Sequence, residues 1–203
     1  MENVILRLDE FSKAGEDEEL ILKRIKSNEY LNLVRETFKS WDEVSTVEKR
    51  EMFKKLIINA AAIELCTDDM VRIFIKWIAQ YHEYHILIMT EIYKNPGITL
   101  GTIWDNVFAQ DDQQRPRENS AKADLYRSFI HDLQLGGVIR QQRSVNDRGE
   151  FLKKPKRTRI KSEVMKSSFD DEDKQELSEL GSQFIHYVLE DVVMQIASAE
   201  ENE

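Results

Sequence analysis

Between Arg115 and Lys166, fourteen Lys and Arg stand against six Asp and Glu, a net of plus eight in a chain whose overall formal charge is minus nine. The densest part is Lys153, Lys154, Lys156, Arg157 and Arg159, preceded by Lys122, Arg127, Arg140, Arg143 and Arg148. Cationic side chains strung along one segment can neutralise successive phosphates and release their counterions. The plainer reading is a solvated basic strand that pairs with acids of the same chain. Residues 1 to 114 hold fourteen bases and twenty-one acids, and residues 167 to 203 one base and eleven acids. The positive charge is therefore confined to one stretch, although the whole protein would repel a polyanion.

Other residue groups argue against chemistry. His82 and His85 flank Glu83 and Tyr84 and share a helical face, but a zinc protease pattern needs histidines four apart, and no third ligand is suggested nearby. A structural or surface pair is expected. Cys66 is the single cysteine, set in an apolar run, which excludes an intramolecular disulfide and a cysteine-rich zinc site. There is no glycine-rich phosphate loop, serine nucleophile motif or paired-carboxylate spacing. No catalytic residue, metal site or cofactor is expected.

The elements that must position the basic residues follow from composition and periodicity. With 41% hydrophobic and 33% charged residues but only seven Gly and three Pro, the chain reads as a mostly α, charge-rich globular protein. It has no long apolar run, so no membrane span and a cytoplasmic location are expected. Residues 1 to 84 read as a helical bundle. One helix should run to about Trp41 with Leu20, Ile21, Ile25, Leu31, Val34 and Phe38 buried, and another from Ser45-Thr46-Val47-Glu48 to about Leu65. A third pattern starts after Thr67 and either continues through His82 to His85 or bends there.

From His85 onwards the elements shorten. An apolar helix start is closed by Pro96-Gly97, and Thr99 to Phe108 puts Leu100, Ile103, Trp104 and Val107 on one face. Ala121 to Leu135 carries Leu125, Phe129 and Leu133 before Gly136-Gly137. Val138 to Val145, the turn signature Asn146-Asp147-Arg148-Gly149 and Glu150 to Lys154 then read as a two-stranded hairpin. An acidic linker and an amphipathic helix fill residues 167 to 203. Its apolar stripe from Leu177 to Ile196 must pack within the chain or across a two-fold interface, and a homodimer is expected.

The sequence of types from Ile86-Leu87-Ile88 through Asn95-Pro96-Gly97-Ile98-Thr99, Ile103-Trp104, Leu125 to Leu133 and Gly136-Gly137-Val138-Ile139-Arg140 resembles the winged helix-turn-helix superfamily. Leu177-Ser-Glu-Leu-Gly-Ser-Gln-Phe184 is similar to the helix start that often follows the wing there. The resemblance implies a winged helix over 85 to 166 and a non-enzymatic DNA-binding protein of the transcriptional-regulator kind. Ala121 to Leu135 would be the recognition helix, with Lys122 and Arg127 in the groove and Arg140, Arg143, Arg148, Lys153, Lys154, Lys156, Arg157 and Arg159 on phosphates. Asp124 and Asp132 on that helix oppose the reading. The alternative is a protein-protein interaction module on the same scaffold, without nucleic acid.

Overall fold

The structure is a computed structural model that describes residues 18–62, 66–109, 115–143, 146, 148, 150, 152 and 167–189. It is mostly helical, with one antiparallel strand pair and a C-terminal helix among the described residues. The chain divides into two compact units, one made of residues up to Tyr81 and from Gln183 onwards, the other of His82–Ser182. No helix among the described residues is long and apolar enough to cross a membrane.

The first unit contains α1 (Glu18–Ile25), α2 (Asn28–Trp41), α3 (Val47–Ala62) and α4 (Asp68–Gln80). The single helix expected up to Trp41 is interrupted at Ser27, whose hydroxyl accepts the Tyr30 N–H at 3.2 Å and so starts a new helix. This restart resets the phase of the buried face. Ile21, Tyr30, Leu33 and Thr37 are buried, whereas Leu20, Leu31 and Phe38, expected inside, are exposed. Ala60 and Ala61 sit buried beside Phe53, Leu56 and Ile58, as the small residues of a centrally packed helix.

Helix α8 (Glu179–Leu189) contributes its residues from Gln183 onwards to this unit. Its Phe184 ring lies edge-on to both Phe74 and Trp77, with centroids 5.4 Å away in each case. Buried polar groups there find partners. The Asn59 amide donates to the Tyr187 carbonyl at 2.6 Å, the Tyr187 hydroxyl accepts the Cys66 N–H at 3.1 Å, and the Tyr30 hydroxyl donates to the Ile57 carbonyl at 3.1 Å. Burial pushes the Tyr30 phenol up to about 12 and also raises the Cys66 thiol. Cys66 is thus a buried, free thiol. The described part of the C-terminal stripe, including Phe184, Ile185 and Val188, is buried in its own chain; Val192, Val193 and Ile196 lie outside the described residues.

The second unit begins where the long pattern breaks. Tyr81 is extended, and His82 caps α5 (Glu83–Lys94): its ring accepts the Tyr84 N–H at 3.3 Å, while its own N–H donates to His85 Nδ1 at 2.9 Å. The two histidines form a capping box, with imidazoles in the roles usually taken by a hydroxyl and a carboxylate. Helix α6 (Leu100–Val107) starts at the Thr99 cap, α7 spans Ala121–Leu135, and β1 (Ile139–Gln141) follows. Gly97 adopts φ +83° between α5 and α6, a conformation that favours glycine.

The partner of β1 differs from the sequence expectation. Strand β2 (Gln175–Leu177) pairs with it antiparallel, in the register Ile139↔Leu177, Arg140↔Glu176 and Gln141↔Gln175. At the position of the expected turn, the Asn146 carboxamide oxygen accepts the N–H groups of Arg148 and Glu150 at 3.0 and 2.9 Å; Asp147 and Gly149 lie outside the described residues. Of the expected return strand, Phe151, Lys153 and Lys154 lie outside the described residues. A third backbone segment joins on the other edge of β2: Thr99 bridges Lys174, and the Gln175 N–H donates to the Ile98 carbonyl at 2.8 Å. Register was not readable from the turn because β2 is short and lies far along the chain, where Gln175-Glu176-Leu177 gives no alternation to identify a strand.

After β2 the chain turns into α8, where the Ser178 hydroxyl accepts the Gly181 N–H at 3.1 Å and the Ser178 N–H donates to the Val138 carbonyl at 2.8 Å. A Cβ on Gly181 would sit 2.5 Å from that carbonyl oxygen, so glycine permits the approach. The core of the unit is Ile88, Met89, Ile92, Ile103, Tyr126, Leu133 and Val138, closed by Phe169 stacked 5.7 Å from Tyr126.

Candidate nucleic-acid interface

Helix α7 is held from both ends and from one side. Ser120 caps its start by accepting the Ala123 N–H at 3.3 Å, and Gly136 ends it. Ala123, Tyr126, Phe129, Ile130 and Leu133 face inward, and the Tyr126 hydroxyl donates to the Leu100 carbonyl at 2.6 Å. Leu125, expected on that inner face, is 53% exposed; Tyr126 takes the buried position. The outer side carries Lys122, Asp124, Arg127, His131, Asp132 and Gln134, all exposed.

Arg127 is the central cation of that side, and it is already engaged. Its guanidinium donates to Asp124 at 2.6 Å, to Ser168 at 2.6 and 2.9 Å, and to the Glu118 carboxylate and carbonyl at 3.3 Å each. Burial raises the Glu118 carboxyl, but hydrogen bonds from Ser167 and Ser168, together with the Arg127 charge, bring it below its ordinary value. Arg140 pairs across the strands with Glu176 at 2.8 Å. Arg143 and Arg148 are exposed, Arg148 within the Asn146 turn. Lys153, Lys154, Lys156, Arg157 and Arg159 lie outside the described residues. Of the ten residues suggested by sequence, the fold thus shows Lys122 and Arg127 on one helix side and Arg140 on β1.

Arg115 was not singled out by sequence, yet it organises the flank of this surface. It donates to Asp105 at 2.7 and 3.1 Å, to Asp171 at 2.5 and 3.0 Å, and to the Phe169 carbonyl at 3.2 Å. Its hydrogen bonds to the Asp105 and Asp171 carboxylates raise its affinity for its proton, and the same contact lowers the Asp171 carboxyl. Gly101 makes room for this bridge, since a Cβ there would lie 2.1 Å from Asp171 Oδ1 and 2.6 Å from the guanidinium nitrogens. A glycine in the apolar pattern of α6 was the available signal, but its partners are separated by 56 residues.

The histidine pair supports the same helix from beneath. His85 is buried, with Nε2 3.5 Å from the Asp132 carboxylate. Burial lowers its pKa, against the upward pull of Asp132. Among the described residues no three His, Cys, Asp or Glu side chains are grouped to hold a metal ion. No family model, curated protein or solved structure matches the chain.

Proposed function

We propose that residues 82–182 are a winged-helix module that binds duplex DNA, non-enzymatically, chiefly through phosphates. The carrying observation is the charge map laid over the element order: the net plus eight from Arg115 to Lys166 spans α7, β1 and the stretch leading towards β2. The order of α5, the Thr99 bridge, α6, α7 and β1 supports this reading, although β1 pairs with Gln175–Leu177 and not with the return strand read from sequence. Magnitudes favour phosphate over base contact. A good bidentate Arg contact to a base discriminates by about 1–3 kcal/mol. To make one, Arg127 must give up two half-exposed ion pairs worth about 0–1 kcal/mol each and its bonds to Ser168. Little net readout remains, whereas Arg143, Arg148 and the basic run from Lys153 to Arg159 provide sequence-independent attraction.

The test is binding of the full chain to random duplexes at about 50 and 200 mM salt. Four to six phosphate contacts weaken affinity by roughly a hundred- to a thousandfold over that range. Absence of binding at the lower salt contradicts the reading.

A second reading has its own observation. Leu125 and Leu135 are 53% and 79% exposed on α7. Such a surface suits a protein partner, and this interaction-module reading takes over if duplex binding fails. A homodimer is also proposed, through residues beyond Leu189, because the described stripe of α8 is buried within its own chain. Sedimentation at tens of micromolar, about the range where weak dimers populate, reads it directly; a monomer there removes the dimer.

A further inference from the structure

Helix α2 buries only part of its apolar surface. Tyr30, Leu33 and Thr37 are buried where it packs on α3 and α4, whereas Leu31, Val34 and Phe38 recur at i, i+3 and i+7 along the neighbouring side, the spacing of a heptad seam. Leu31 is 47% and Phe38 64% exposed, and Val34 is half-buried. The Phe38 ring lies 6.4 Å from that of Trp41, which stacks 6.3 Å from Phe53 of the core. Single exposed apolar side chains are ordinary, but three in register on one helix form a seam that a second apolar stripe can fill.

Residues 1–17 immediately precede α1 and lie outside the described residues. Their sequence places Val4, Leu8 and Phe11 at i, i+4 and i+7, again a heptad spacing, with Ile5 beside them. A helix over 4–11 is about 10 Å long, the length of the seam from Leu31 to Phe38. Helix α1 lies against α2 and α3, and residues 12–17 reach about 20 Å when extended, so the tether is long enough. In either chain direction Leu8, the middle of one stripe, meets Val34, the middle of the other.

Charge points the same way. Arg35 and Lys39 border the seam, both exposed, and neither is in an ion pair among the described residues. Residues 1–17 carry Glu2, Asp9, Glu10, Glu16 and Asp17 against Arg7 and Lys13, a net of minus three. A second copy of the chain fits less well, because a two-fold contact between antiparallel seams sets the two Arg35 side chains against each other. The stretch after Leu189 is also acidic, but its apolar residues Val192, Val193 and Ile196 span little more than one helical turn, against the two turns of the seam. We propose that residues 4–11 dock as an amphipathic helix in the seam of α2, with Leu8 opposite Val34 and the acidic segment beside Arg35 and Lys39. Duplex binding by residues 82–182 plays no part in this contact.

The test introduces Leu8→Cys and Val34→Cys together in the full chain, treats it with a short bifunctional thiol reagent and maps the linked peptides by mass spectrometry. Leu8→Cys with Glu29→Cys is the control, because Glu29 is exposed on the side of α2 turned away from the seam. An intrachain link in the first pair and none in the second is expected. In parallel, tryptic cleavage after Lys13 is timed in the unmodified protein and in Phe38→Glu, a position exposed enough to change without disturbing the core. Release of the segment should speed that cleavage roughly tenfold, since the local opening is then no longer opposed by packing. Links formed only between chains assign the seam to a second copy, and a Val34→Cys link to Ile196→Cys in place of Leu8→Cys assigns it to the stretch after Leu189; either overturns the proposal. No link in the first pair, equal linking in both pairs, or unchanged cleavage in Phe38→Glu overturns it as well.

Discussion

The polar contacts that join distant segments lie at different depths in the two units. In the helical unit Asn59, Tyr30 and Tyr187 turn inward and tie backbone groups together beneath an aromatic cluster. In the second unit Arg115, Arg127 and Arg140 lie at the surface, and their partners come from segments distant in sequence. The first arrangement fixes a core, since a buried polar group without its partner loses about 1–3 kcal/mol. The second fixes the shape of a surface at low energy per contact, because exposed ion pairs contribute about 0–1 kcal/mol each. Surface contacts of that size can be exchanged for contacts to a ligand; core contacts cannot.

The sharpest way to break the contrast is Phe184→Ala. Phe184 is fully buried against Phe74 and Trp77, so truncation should destabilise by about 3–5 kcal/mol in urea unfolding. A loss under about 1 kcal/mol would show that this cluster does not organise the helical unit. Gly181→Ala comes next, because its Cβ meets a backbone carbonyl and not a mobile side-chain end. Overpacking of this kind should lower stability by about 1–3 kcal/mol, and an unchanged unfolding midpoint would contradict the close approach of α8 to Val138.

A pH scan sharpens the comparison within the second unit. The folded His85 pKa lies below its ordinary 6.5 because burial disfavours the imidazolium. Below that ordinary value the unfolded chain takes up a proton more readily than the folded one, so stability rises with pH in this window. The His85 contribution is intact above pH 6.5 and is lost as pH falls from there through the folded value. Asp132→Asn removes the carboxylate that pulls the pKa up, so acid sensitivity should increase; unfolding midpoints that shift equally with pH in both proteins would refute the coupling. The smallest effect belongs to Arg127→Ala, which should change stability by no more than about 1–2 kcal/mol, since its partners remain solvated.

Much of the second unit was legible because its punctuation is local. Pro96-Gly97 and Gly136-Gly137 each act within a few residues, and α5 and α7 end beside them as expected. The β1 partner was not legible, because no local signal at Gln175-Glu176-Leu177 competes with a turn signature at Asn146. The rotated face of α2 was hidden for a related reason: Ser27 reads as an ordinary polar helix residue until its hydroxyl is seen capping Tyr30. At the candidate surface, sequence identified the cations but not their company. Glu118, Asp124 and Ser168 around Arg127, and Glu176 opposite Arg140, are products of tertiary pairing.

The salt dependence of duplex binding by the quadruple variant Lys153→Ala, Lys154→Ala, Lys156→Ala and Arg157→Ala, compared with Arg127→Ala, tests the phosphate-binding account most directly. The quadruple variant should flatten the slope of log affinity against log salt by about two to four, each phosphate contact contributing about 0.9. Arg127→Ala should leave that slope within about one contact of the unmodified protein and alter preference among duplex sequences little. An unchanged slope in the quadruple variant, or a loss of sequence preference confined to Arg127→Ala, would contradict it.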